Sequence, residues 1–97
     1  MTDILKIKDA IIPKFPKHVR FKYNKARKEW VILAPERLVN LDQIAVEILH
    51  LVDGERSVKN IASELSKKFN APNDIILSDV KEMLQDLSDK GFIEENG

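Results

Sequence analysis

The chain has 97 residues, 43% hydrophobic and 33% charged, a balance that gives one compact globular domain and excludes a disordered or multidomain protein. It has no cysteine, which removes disulfides, thiolate nucleophiles and cysteine metal clusters, and no apolar run reaches the roughly 20 residues of a membrane helix. Net charge is zero but uneven: up to Leu38 ten basic residues face four acidic ones, a net of +6, which leaves −6 for the remainder. The basic part either meets an acidic partner or solvates an exposed hairpin.

Residues 1–12 carry Ile4, Leu5, Ile7, Ile11 and Ile12 among lysines and are followed by Pro13 and Pro16, so a mobile or loosely docked tail is expected, with a single domain over 13–97. The start lacks the order of a signal peptide, which predicts a cytoplasmic protein. In "HVRFKY", Val19, Phe21 and Tyr23 alternate with His18, Arg20 and Lys22, the two-residue period of a half-buried strand. "NKARKE" is a polar connector, and "WVILA" is a second strand of β-branched and aromatic type, so the two predict a hairpin. Pro35 ends that strand, and residues 37–41 form a short third one.

Asn40 and Gln43 have the spacing of a capping box, which starts helix one near Leu41; Ile44, Ala45, Ile48, Leu49 and Val52 then recur at helical spacing, and Asp53-Gly54 is the expected stop. Ser57 caps helix two, whose apolar stripe is Val58, Ile61, Ala62, Leu65 and Phe69. Pro72 suits the first turn of helix three, and Ile76, Val80, Met83, Leu84 and Leu87 run to a stop at Gly91. Phe92-Ile93 returns an apolar pair to the core. The order predicts an α+β, winged-helix-like fold: an N-terminal three-stranded antiparallel sheet followed by three helices.

Tests for catalytic chemistry are negative. Three glycines, at 54, 91 and 97, cannot write a phosphate loop or a dinucleotide fingerprint. His18 and His50 have no second ligand at metal spacing, and His50 reads as a boundary residue of helix one. The serines lack a nucleophile elbow. No enzyme activity, metal or cofactor is therefore expected, and a binding module is. DNA is a rival ligand, because strands and three helices are also the inventory of a winged helix. Helix three, however, sets Asp74, Asp79, Glu82, Asp86 and Asp89 against Lys81 and Lys90, and phosphate is repelled by that balance. Lys25, Arg27 and Lys28 remain a possible basic wing.

"PERLVNLDQIAVEILHLVDGERSVKNIASELSKKF", with "VRFKY" before it and "SDVKEMLQDLSDKGFI" after it, resembles the PqqD family of pyrroloquinoline quinone biosynthesis. The resemblance runs from about Pro13 to Ile93; its telling positions are Pro35-Glu36-Arg37, Leu41, Ala45, Ile48-Leu49, Asp53-Gly54, Arg56, Asp79-Val80 and Gly91-Phe92. It implies a peptide chaperone that binds the leader of a ribosomally made precursor, a PqqA-like peptide, and presents it to a PqqE-like radical S-adenosylmethionine (SAM) enzyme. The same domain serves other peptide-modifying pathways, which stay open as alternatives beside the DNA-binding regulator. By family analogy the leader adds to the third strand, Arg37, Leu38, Val39, Asn40 and Leu41, beside helix three. On helix three the flank of Leu77, Lys81 and Leu84 is expected to wall the pocket with Val80 at its floor; the other reading of Leu77 and Leu84 is ordinary core. A monomer and a strand-swapped dimer are both compatible with the sequence.

Overall fold

The computed structural model describes residues 6–35 and 37–96; of Arg37 it describes the backbone. In chain order the elements are β1 (Pro13–Lys14), β2 (Arg20–Asn24), β3 (Glu29–Ala34), β4 (Arg37–Asn40), α1 (Gln43–His50), α2 (Val58–Phe69), α3 (Asn73–Asp89) and β5 (Glu94–Glu95). Strands β2, β3 and β4 form the predicted antiparallel sheet in that order, and α1, α2 and α3 follow it. Phe21 pairs with Ile32 and Ile32 with Val39. Ile32 is fully buried among α1, α2 and α3 residues that include Ile48, Ile61 and Leu84, so this row of the sheet faces the core.

The local chemistry explains most boundaries. In the β2–β3 turn the Asn24 carboxamide oxygen accepts from the Ala26 and Arg27 amides at 3.0 and 3.3 Å. The cap of α1 is Asp42, whose carboxylate accepts from Ala45 N at 2.7 Å, and not Asn40, which is still paired with Val31 in the sheet. Strand and helix compete for Asn40, and the strand takes it. Helix α1 also ends earlier than predicted, at His50: Leu51 N donates to Ile48 O and Val52 N to Leu49 O, a tightened last turn. Asp53 then starts a separate turn, accepting from the Glu55 and Arg56 amides at 2.9 Å each, with Gly54 at φ +79°.

Ser57 caps α2 as expected, accepting from Asn60 N at 3.2 Å. Pro72 is the N-cap of α3, one position before the first-turn place expected for it, and provides no side-chain cap bond. Gly91 is the stop of α3 at φ +84°, with Phe92 N donating to Leu87 O at 2.9 Å. Phe92 and Ile93 are buried as predicted.

Two features depart from the sequence reading. The tail expected to be mobile or loosely docked is, over residues 6–12, packed onto the helices, with Ile7 and Ile11 in the core. Ile7 N donates to Gln85 Oε1 at 2.9 Å, and the Asp9 carboxylate is ion-paired with Lys81. The Val58 and Lys59 amides donate to the carbonyls of Ile11 and Asp9 at 2.8 and 3.0 Å, so this segment satisfies two of the orphan donors at the start of α2. Residues 1–5 lie outside the described residues. The second departure is a two-stranded sheet, β1 with β5, that pairs Pro13 with Glu95 and Lys14 with Glu94 and joins the two ends of the domain.

Candidate functional site

Strand β4 has β3 on one side and no strand on the other among the described residues. An antiparallel strand presents alternate residues' amide and carbonyl groups away from its neighbour, so the free side of β4 is a row of unpaired donors and acceptors. Pro35 closes off the preceding strand, and Leu41 and Asp42 separate β4 from α1, which fixes the edge as a short straight ledge. Along it, Val39 packs inward against the core, while Leu38, 44% exposed, faces outward.

The first turn of α1 then leads into an apolar groove of about 180 Å³ lined by Ile44 and Ile48 of α1, Leu65 and Phe69 of α2, and Ile76, Asp79 and Val80 of α3. Ile48 and Val80 are fully buried and form its floor, while Ile44 (64% exposed) and Phe69 stand at its rim. Asp79 is the one charged side chain in the lining. Beside the rim, Lys68 is ion-paired with Glu47, which ties α2 to α1, and lies 5.7 Å from the Phe69 ring centroid. A ledge of backbone polar groups leading into an apolar groove with one carboxylate can hold an extended peptide: backbone bonds give general affinity and the groove selects a side chain.

The predicted site residues divide accordingly. Arg37, Leu38, Val39 and Asn40 form the edge strand, Leu41 follows it half-buried, and Val80 is at the groove floor. Leu77, Lys81 and Leu84 do not line the groove. Leu84 is 0% exposed, buried with Ile61 and Leu65 of α2 in the core; Leu77 packs against the same core; Lys81 is engaged with Asp9. The docked segment 6–12 runs along that side of α3, so the open side is the one bearing Ile76 and Asp79. Ile44, Phe69, Ile76 and Asp79 were absent from the sequence-predicted site. Their signal was weak but present: Ile44 and Phe69 occupy the first turn of α1 and the last residue of α2, where an apolar stripe overruns the core it serves.

The His50 Nδ1 donates to Val46 O at 2.9 Å, and its ring packs edge-on to Phe21 and Trp30 at 5.0 and 4.5 Å. Among the described residues no group of three or more His, Asp or Glu side chains is placed to hold a metal, and no helix is long and apolar enough to cross a membrane. Asp53 is held below the ordinary aspartate range by the backbone bonds from Arg56 and Glu55 and by the Arg56 guanidinium, 2.6 Å from its carboxylate.

Fold and site together define a small α+β domain of the peptide-recognition type, with an open edge strand beside an apolar groove. The family model for coenzyme PQQ synthesis protein D (PqqD) matches residues 29–93, and the chain belongs to that family. It is 50% identical over 91 residues to the PqqA binding protein of Bradyrhizobium diazoefficiens, covering 94% of this chain and 88% of that one. It is also 40% identical over 83 residues to the bifunctional coenzyme PQQ synthesis protein C/D of Methylorubrum extorquens, 22% of whose length it matches. Among solved structures it is similar to the solution structure of the PqqD truncation of Methylobacterium extorquens PqqCD, a stand-alone recognition element for ribosomally made, modified peptides. That likeness has a TM-score of 0.78 at 38% identity and covers 91% of this chain and 94% of that one. The crystal structure of PqqD from Xanthomonas campestris is similar at a TM-score of 0.56 and 39% identity, over 78% and 84% of the two chains.

Proposed function

We propose that this chain binds the leader of a PqqA-like precursor peptide in pyrroloquinoline quinone biosynthesis and presents it to a PqqE-like radical SAM enzyme, without performing chemistry itself. The leader pairs along Arg37–Asn40 as a fourth strand, passes Leu41, and places an apolar side chain between Ile44 and Val80, with Asp79 at hand for a basic or amide group beside it. The observation that carries this reading is the continuity of the unpaired edge of β4 with the first turn of α1 and the apolar groove behind it. The chain's relatives in Bradyrhizobium and Rhodopseudomonas are PqqA binding proteins, which supports the same ligand. The contribution of α3 is assigned to Ile76, Asp79 and Val80 in place of Leu77, Lys81 and Leu84, since the latter three are taken up by the core and the N-terminal segment. The cytoplasm, where ribosomal precursors are made, is the compartment this role requires.

An amide NMR titration tests it. Adding a PqqA-type leader should shift residues 37–41 together with Ile44, Ile76, Asp79 and Val80, and random duplex DNA should shift nothing. Shifts with DNA alone, centred on Lys25 to Lys28 or on α2, would overturn the peptide reading in favour of a regulator.

A further inference from the structure

The outward face of the sheet is built unlike a solvated surface. The rows opposite to the core-facing one are Arg20–Leu33–Leu38 and Lys22–Val31–Asn40 across β2, β3 and β4. Simple alternation would place polar side chains at all six positions of a face exposed to water. Instead three are apolar. Val31 is 1% exposed yet is not part of the core cluster, so its burial is local to this outer face. Leu33 and Leu38 stand directly opposite each other, and Leu38 is largely exposed. Val31 and Leu33 also line an open depression of about 490 Å³, closed at one end by Lys25 and Ala26 of the turn and flanked by Lys22.

Cations surround that apolar centre. Arg20, Lys22, Lys25 and Lys28 are all exposed, and among the described residues none has a carboxylate within ion-pair distance; Glu29, the acid on this side, is already held by Arg27 at 2.9 Å. Four of the ten cations of the first 38 residues thus lie on or beside the hairpin that carries this apolar patch.

We propose that this outward face is a second docking surface, complementary to a protein surface with carboxylates around an apolar knob, and that its occupant is the modifying enzyme. The inference rests on the leader-binding reading and extends it. A strand added to β4 alternates its own side chains, so half of them enter the groove and half stand on the outward face next to Leu38 and Asn40. An enzyme seated on that face touches the carrier and, at once, the outward-standing half of the cargo's side chains, the half the groove leaves free. Nucleic acid is disfavoured as occupant because phosphate gains nothing from Val31, Leu33 and Leu38. A second copy is disfavoured because its acidic half is its helical part, so the contact is head-to-tail and does not form the two-fold dimer that is the commonest assembly.

The test uses the full chain, a PqqA-type leader and the purified radical SAM enzyme. Leader affinity is measured by fluorescence anisotropy and enzyme affinity by surface plasmon resonance, for the wild type, for R20E/K22E, and for K59E/K67E, which makes the same charge change on exposed positions of α2. R20E/K22E should keep leader affinity within about two-fold. It should lose enzyme affinity by about ten-fold or more, and the wild-type enzyme affinity should fall as salt rises. K59E/K67E should lose neither. Equal losses in both variants, no loss in R20E/K22E, or no enzyme binding by the wild type would overturn the proposal while leader binding stands. Binding of duplex DNA, or self-association in sedimentation, abolished by R20E/K22E would overturn it in favour of that other occupant. Failure of the wild type to bind leader at all is a separate result, which removes the reading on which the proposal rests.

Discussion

Replacing Leu84 by alanine and, separately, Ile44 by alanine should split stability from binding. Leu84 is 0% exposed in the α2–α3 contact, so its truncation leaves a cavity and should cost about 3 to 5 kcal/mol. Against a total of roughly 5–15 kcal/mol for a domain of this size, that is a large share. At about 4–8 °C per kcal/mol, the melting temperature should fall by at least about 12 °C. Ile44 is 64% exposed, so little of the roughly 1.5–3 kcal/mol of a fully buried isoleucine is at stake. Alanine's better helix propensity returns part of that, and the net change should stay within about 0.5 kcal/mol. Leader affinity should respond in the opposite sense: weaker by about five-fold in Ile44→Ala, a loss of about 1 kcal/mol at a groove rim, and unchanged in folded Leu84→Ala. Thermal and urea denaturation followed by circular dichroism, with leader titrations at a temperature where both variants are folded, give both quantities. A loss below about 1 kcal/mol in Leu84→Ala would refute its core placement. Full leader affinity in Ile44→Ala with loss in Leu77→Ala would return the peptide to the other flank of α3.

Three further outcomes follow from the local geometry. Asp42→Ala removes the side-chain bond to Ala45 N and should lower stability by about 1 kcal/mol in urea melts, whereas Asn40→Ala should not act as a cap loss at all. Gly91→Ala places a side chain at φ +84° and should destabilise by about 1–2 kcal/mol, read from the same melts. Asp53 has its folded-state pKa depressed, so its contribution is present at neutral pH, above the unfolded-state value, and is lost as the pH falls through the folded-state value, below about 4. Being exposed, the group is screened and its contribution should stay under about 1 kcal/mol; Asp53→Asn should remove that part of the acid-induced loss, as measured by urea melts from pH 6 down to pH 2.

The sheet and helices were legible in the sequence because their signals are periodic. Val19, Phe21 and Tyr23 alternate, and the stripes of α2 and α3 repeat at helical spacing over three turns or more. Boundaries were less legible where two residues compete for one job. Asn40 and Asp42 are both good caps, and only the pairing of Asn40 with Val31 decides between them. The β1–β5 pairing was invisible because two residues carry no period, and its partners are some 80 residues apart in the chain. The docking of residues 6–12 was hard to read for a related reason: Ile7 and Ile11 resemble scattered apolar residues until α2 supplies amides for the carbonyls of Asp9 and Ile11. The same segment bears on the site. With residues 6–12 absent, the Leu77, Lys81 and Leu84 flank of α3 reads as the more open apolar one; with them docked, the opening is at Ile76 and Asp79. The edge strand itself needed no tertiary information beyond the order of three strands.

The shortness of β4 bears on how long a cargo stays. Four residues can turn about two amides and two carbonyls toward a newcomer, and at about 0.5–1.5 kcal/mol net per bond the ladder gives roughly 2–6 kcal/mol. Fixing four residues of a flexible peptide removes a comparable amount, at about 1–2 kcal/mol each. Backbone pairing on this ledge is therefore close to neutral, and residence time is governed by the side chain held in the groove. A longer edge would hold any extended segment and release it slowly; a leader seated as proposed on this one would depart once its single anchored side chain left the groove.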